Sequence, residues 1–292
     1  MTHIVADLSK RHAFVTGGAR GLGLVMANAM ADAGAKVTVT AARSHEELDK
    51  AVQTVGPEHC YGVMADVCST DACTTAVEQA VGRFGPIDIL VNNAARGPGE
   101  MQGTSAPFGA TAFEGDEEDY SRIVTTNIVG PWRMAKLVVP SMVDRGWGRI
   151  VNISTSQPTM LLSIGGPYGP TKAALETQSA IWAKQLEGTG VTVNVLLPGG
   201  ASDTPFIPGG KVGSRVDIDW PALAGNIAEG NANISGLLPA EVMVAPIVWL
   251  ASDASAHITG RRLVGANWPP HAAPEEALKS AMTPAIAAPH VL

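Results

Sequence analysis

The sequence predicts an α/β fold: a doubly wound parallel sheet of about seven strands with helices on both faces. Three observations carry that reading. Short runs rich in Val and Ile alternate with longer helical stretches along most of the 292 residues. The apolar runs are near-continuous rather than alternating, as in strands buried on both faces. A Gly-rich turn, Thr16-Gly17-Gly18-Ala19-Arg20-Gly21-Leu22-Gly23, stands between the first such run and the first helical stretch.

The elements follow in order. Residues 13–15 read as the first strand and 22–33 as a helix that Gly34 closes. Residues 37–40, 61–65 and 87–91 read as strands two to four, with helices at 45–54 and 70–84 between them. A long helix is expected over 120–143, a strand over 149–153, a second long helix over 170–187 and a strand over 191–196. Residues 240–251 read as helical and 262–264 as the last strand. Two stretches break the rhythm. Residues 96–119 are Gly/Pro-rich with an acidic end, and read as a loop inserted near a pocket. Residues 199–238, rich in Gly, Pro and Asn, read as a lid, since long loops in compact domains are usually functional or disordered. With no repeat and no change of composition, residues 1–268 read as one domain and 269–292 as a Pro/Ala-rich tail.

Composition excludes several classes. The chain is 46% hydrophobic and 16% charged, which suits a large buried core. Its net charge of -7 comes from interspersed acids and bases, and no basic block points to nucleic acid. No apolar run reaches membrane-span length, and the start lacks the pattern of a secretory signal. An odd set of cysteines, Cys60, Cys68 and Cys73, suggests reduced thiols in the cytoplasm. His59 lies near them, but the spacing matches no standard metal site, and none is assigned.

Chemistry is concentrated in Tyr168-Gly169-Pro170-Thr171-Lys172. Four-residue spacing at the start of a helix puts the phenol and the ammonium on one face. The ammonium favours phenolate, so the pair is expected to exchange a proton near neutrality, as carbonyl reduction or alcohol oxidation requires. The glycines of the upstream turn let backbone approach a pyrophosphate at a helix N-terminus. That turn predicts a nucleotide hydride carrier for the same pocket.

Together these segments resemble the short-chain dehydrogenase/reductase family, over residues 12–268. Thr16, Gly17, Gly21 and Gly23 match its Thr-Gly-x-x-x-Gly-x-Gly turn, with Leu22 inside it. Asp66-Val67 matches its adenine-contacting position, and Asn92-Asn93-Ala94-Ala95 the motif after its fourth strand, with Ala95 where Gly is commoner. Asn127 falls at its helix asparagine, and Pro198, Gly199 and Thr204 at the segment holding the nicotinamide end. The resemblance implies a Rossmann-like fold and NAD(P)-dependent interconversion of a ketone and a secondary alcohol. It implies Tyr168 as general acid/base, Lys172 as ribose ligand and tuner of the phenol, and Asn127 as anchor of a relay water. It also implies a homo-oligomer, a tetramer or dimer paired through the two long helices.

NADP(H) is favoured over NAD(H). The position after the second strand, where an NAD-selective enzyme carries an acid, is Ala41, followed by Ala42, Arg43 and Ser44. No carboxylate there repels a 2′-phosphate, and Arg20 and Arg43 can supply guanidinium. The family's catalytic serine lies thirteen positions before its tyrosine, where this chain has Thr155. Thr155 and Ser156 are both candidates for the hydroxyl that polarises the carbonyl. Ser154 is disfavoured because strand alternation points it away. The substrate pocket is expected from 157–166, 96–119 and 199–238. Met160, Leu161, Leu162, Phe206, Ile207 and Trp220 favour a small-molecule carbonyl or alcohol with a hydrophobic body, and Trp268 is expected to reach the same region. Two alternatives stand beside this: an NAD-dependent alcohol dehydrogenase of the same fold, and a nucleotide-binding sensor whose chemistry has decayed.

Overall fold

The computed structural model describes residues 6–101, 113–162, 165–200, 202, 238–269 and 272–283. Seven parallel strands form one sheet: β1 (His12–Val15), β2 (Lys36–Ala41), β3 (Cys60–Met64), β4 (Ile89–Asn92), β5 (Gly148–Ile153), β6 (Val191–Leu197) and β7 (Arg262–Val264). Their order is β3-β2-β1-β4-β5-β6-β7, so the chain reverses direction across the sheet between β1 and β4. Such a reversal opens a crevice at the carboxyl ends of the strands.

Alternation along the central strands splits the core into two layers. Phe14, Leu90, Ile150 and Val193 face a layer with Met134, Val138 and Met142 from α5 (Gly130–Asp144). Ala13, Val15, Val37, Val39, Ile89 and Val91 face the other, which holds Met26 and Met30 of α1 (Gly21–Asp32). The small residues of α1 let it pack closely on β1 and β2 and against the segment carrying Ile247 and Trp249. Ser44 accepts from the Glu47 N–H at the start of α2 (His45–Val55), and Ser69 from the Ala72 N–H at the start of α3 (Thr70–Phe84). These side chains satisfy N–H groups that a helix start leaves open.

Three segments depart from the sequence expectations. The long helix over 120–143 is instead α4 (Glu117–Val124), a π turn (Thr125–Val129) and then α5. A short helix, α6 (Gln157–Met160), precedes α7 (Tyr168–Gln185). Beyond α8 (Val244–Leu250) and β7, part of the stretch expected as a tail forms α9 (Pro274–Ala281). This helix buries Ala277, Leu278 and Ala281, and Met282 then bridges antiparallel to Leu263 of β7. Trp268 is not at the pocket; it is buried in the core with its ring 5.8 Å from that of Trp249. Among the described residues no helix is long and apolar enough to cross a membrane.

Candidate active site

The crevice lies at the carboxyl ends of β1, β4 and β5. The Gly-rich turn forms its first wall. Thr16 Oγ1 accepts from the backbone N–H groups of Asn93 and Ala94, both at 3.0 Å, tying the β1 turn to the β4 turn. Asn93 Nδ2 donates back to the carbonyls of Thr16 and Gly17, each at 3.0 Å. Gly23 permits this lock, because a Cβ there would stand 2.5 Å from Asn93 Nδ2 and from the Gly17 carbonyl oxygen. Gly17 and Gly21 have φ of 61° and 56°, left-handed values that favour glycine.

Arg20 at the start of α1 makes no side-chain cap, and the first turn holds no acid. The open N–H groups and the positive end of the helix dipole therefore suit a pyrophosphate. On these grounds the residues fit a dinucleotide. Asp66, beyond β3, accepts from the Cys68 N–H at 2.9 Å, and Val67 is buried beside Gly130. On the far side, Gly199 has φ of 105° and would place a Cβ 2.8 Å from Val264 Cγ1. The Pro198 carbonyl accepts from the Ala266 N–H at 2.9 Å. Thr204 lies outside the described residues, as do Phe206, Ile207 and Trp220.

Both arginines expected at the adenosine end have carboxylate partners that the sequence reading missed. Arg20 pairs with Glu47 at 3.2 Å and Arg43 with Glu100 at 3.0 Å. Glu100 also holds Arg96 at 2.6 Å, and Arg96 lies 4.0 Å from Asp66. Ala41 to Ser44 contain no acid, but carboxylates arrive from α2 and from the turn after β4.

The three hydroxyls after β5 separate cleanly. The Thr155 hydroxyl hydrogen-bonds the Tyr168 phenol. Ser156 caps α6, accepting from the Thr159 N–H at 3.4 Å with its Oγ 2.8 Å from Thr159 Oγ1. Ser154 points away and donates to Glu176 Oε1 at 2.6 Å. Of these three, alternation at the strand end puts Thr155 against the phenol.

Tyr168 and Lys172 are both buried, and this corrects one expectation. Burial pushes the phenol above its ordinary value, offset in part by the Thr155 hydrogen bond, so the ammonium does not set the direction. Lys172 is itself desolvated, which brings it down to about 8, with the nearby Glu176 carboxylate pulling the other way. Its Nζ donates to the Ile153 carbonyl at 2.8 Å and lies 5.7 Å from the centre of the Tyr168 ring.

Asn127 sits in the π turn, fully buried. Its Oδ1 accepts from the Arg96 N–H at 2.9 Å, and its Nδ2 donates to the Arg96 carbonyl at 3.0 Å and to Thr171 Oγ1 at 2.9 Å. Thr171 in turn donates to the Tyr168 carbonyl at 2.7 Å. The amide thus spends both N–H groups joining the β4 turn to the first turn of α7. Ala95 lies within the turn so held. Sequence reasoning missed Arg96, Thr171, Glu176 and Arg262; only Glu176 carried a signal, its four-residue spacing from Lys172.

A parallel sheet that reverses at a glycine-lined crevice, with a Tyr/Lys pair on its rim, defines an oxidoreductase acting on CH–OH and C=O groups with a nicotinamide dinucleotide. Comparison with known proteins agrees. A family model described as short chain dehydrogenase matches residues 11–208. The chain is 34% identical over 210 residues to a short-chain type dehydrogenase/reductase of Picea abies, covering 69% of this chain and 74% of that one. It is 31% identical to an NADPH-dependent aldehyde reductase 2, chloroplastic, of Arabidopsis thaliana, covering 87% of this chain and 92% of the relative. A crystal structure of a putative short-chain alcohol dehydrogenase from Sinorhizobium meliloti 1021 superposes with a TM-score of 0.73 at 28% identity, over 89% of this chain and 96% of that one. The chain belongs to the short-chain dehydrogenase/reductase family.

Proposed function

We propose that the protein interconverts a ketone and a secondary alcohol with NADP(H), using Thr155, Tyr168 and Lys172. The hydrogen bond between the Thr155 hydroxyl and the Tyr168 phenol carries this reading. In the reducing direction a carbonyl oxygen takes up the space shared by these two hydroxyls. Thr155 donates to it as negative charge develops, and Tyr168 transfers its proton to it. Lys172, held on the Ile153 carbonyl, supplies the positive charge that favours phenolate afterwards. The dinucleotide, when bound, supplies or accepts the hydride. Its pyrophosphate would lie at the start of α1, with Gly17, Gly21, Leu22 and Gly23 beneath it. Its adenosine would lie by Asp66, Val67, Asn93, Ala94 and Ala95, and its nicotinamide end by Pro198, Gly199 and Thr204.

NADP is favoured because Ala41 to Ser44 contain no acid and Arg20 and Arg43 can supply guanidinium, and the Arabidopsis relative is described as NADPH-dependent. The carboxylates of Glu47 and Glu100 on those arginines favour the second reading, an NAD-dependent alcohol dehydrogenase. Titration with NADPH and NADH, followed by nicotinamide fluorescence, separates the two. Tighter NADPH binding that Arg20→Ala and Arg43→Ala weaken supports the first, and NADH preference unaffected by those variants supports the second. An apolar substrate body is supported by Leu161, about half exposed on the rim. A cytoplasmic homo-oligomer, tetramer or dimer, completes the proposal, with Trp132 of α5 and Ile181 of α7 as exposed apolar side chains for the interface.

A further inference from the structure

Each residue of the tripeptide leaving β5 is held by a different charged group. The Ile153 carbonyl accepts from Lys172 Nζ at 2.8 Å. The Ser154 hydroxyl donates to Glu176 Oε1 at 2.6 Å. The Thr155 carbonyl accepts from Arg262 Nη2 at 3.1 Å. Arg262 Nε donates to the same Glu176 Oε1 at 3.1 Å, so one carboxylate oxygen joins Ser154 of β5's end to Arg262 of β7. Both side chains of this ion pair are mostly buried. Glu176 lies four residues after Lys172 on α7 and shares its helix face.

We propose that Glu176 and Arg262 are positioning residues of the active site: their ion pair pins the turn that presents Thr155 to Tyr168, and the Glu176 carboxylate supports the ammonium of Lys172. The inference rests on the Tyr168/Lys172 reading above. A buried ion pair is weak as a source of stability, because desolvation of both charges offsets their attraction, so its geometry points to placement. Thr155 makes placement matter. Its β-branched side chain has few χ1 choices, so the hydroxyl goes where the backbone puts it. Among the described residues, the charged and polar groups carried by the elements around Lys172 are few. On α7 they are Tyr168 and Glu176; from the end of β5, the uncharged Ser154 and Thr155; and from β7, Arg262. From the π turn comes the uncharged Asn127, and from the turn after β4, Arg96, which Glu100 neutralises. Among the described residues, Glu176 is the carboxylate that favours the Lys172 cation, and Arg262 is the cation already paired with it.

The test follows the Lys172 side chain by NMR of protein labelled with 13C-lysine, its Cε resonance assigned through Lys172→Met, as pH is raised. No substrate is needed. Glu176→Gln should lower the Lys172 midpoint by about one pH unit, because the supporting charge is gone. Arg262→Gln should raise it, because the carboxylate then has Lys172 as its remaining cation. Opposite shifts are not what general loosening of the site would give. Midpoints that stay put, or that move the same way in both variants, overturn the proposal. If either single variant fails to fold, Glu176→Met with Arg262→Met replaces the pair by apolar side chains, an exchange proteins often tolerate. The Lys172 midpoint should then fall as in Glu176→Gln, and an unchanged or raised midpoint overturns the proposal. Turnover that survives Tyr168→Phe would sink the catalytic reading instead, and would leave the Lys172 titration to be judged separately.

Discussion

Three consecutive hydroxyls, on Ser154, Thr155 and Ser156, end up with three different partners, and exchange of Thr155 or of Ser156 for alanine should have different consequences. Thr155→Ala removes the donor at the phenol and should lower kcat by about 10²–10³-fold, the usual loss for one oxyanion donor. Ser156→Ala removes the cap of α6 and should act mainly on stability, by about 1 kcal/mol. Steady-state kinetics beside urea unfolding distinguish these outcomes; a larger kcat loss in Ser156→Ala than in Thr155→Ala would reverse the assignment. The sequence left Thr155 and Ser156 level because spacing counts residues and does not see which way a turn faces. Ser154 was legible, since strand alternation alone sends it away from the phenol. The state of the phenol was not legible: four-residue spacing reveals a neighbouring ammonium but not the burial that outweighs it.

Among the elements, α9 and the π turn were the least visible beforehand. Residues 274–281 are short and lie among prolines and alanines, so composition reads them as a tail. Their helical face becomes meaningful only against β7, where Leu278 and Met282 find partners distant in sequence. Truncation after Trp268 should therefore destabilise the protein, with the loss of the Leu278 side chain alone contributing about 1.5–3 kcal/mol. A thermal midpoint equal to that of the full chain would contradict this. The π turn is hidden for another reason: Thr125 to Val129 have ordinary helical character, and the bulge arises as Asn127 turns to Arg96 and Thr171. The Gly-rich turn, by contrast, was readable residue by residue. Gly23→Ala should displace Asn93 and abolish dinucleotide binding, which fluorescence titration would detect.

For the molecule as a whole, a parallel sheet covered on both faces followed from buried Val/Ile runs separated by helices, and the sheet has the seven strands expected. What stayed hidden were pairings between charges far apart in sequence, Arg20 with Glu47, Arg43 with Glu100 and Arg262 with Glu176, because local pattern carries no sign of them. One buried titratable group links the global fold to pH. In the neutral ring, His12 donates from Nδ1 to the Gly85 carbonyl at 2.8 Å and accepts at Nε2 from the Thr38 hydroxyl at 2.9 Å. Burial holds its pKa below the ordinary value, with Asp88 opposing. The unfolded chain therefore binds this proton first as pH falls through about 6.5. His12 contributes stability fully above that pH and loses it below. Urea midpoints should drop between pH 7.5 and 5.5, and less so in His12→Gln; equal drops in both proteins would contradict the account. In assembly, Trp132→Glu with Ile181→Glu should shift the molar mass from light scattering towards that of one chain, while an unchanged oligomer would place the interface elsewhere.

The most direct measurement of the central claim is NADPH oxidation in the presence of an apolar ketone, comparing the parent protein with Tyr168→Phe. The account predicts ketone-dependent loss of NADPH absorbance by the parent and a rate at least about 10²-fold lower in Tyr168→Phe, with NADPH still bound. A Tyr168→Phe protein that turns over at the parent rate would contradict it.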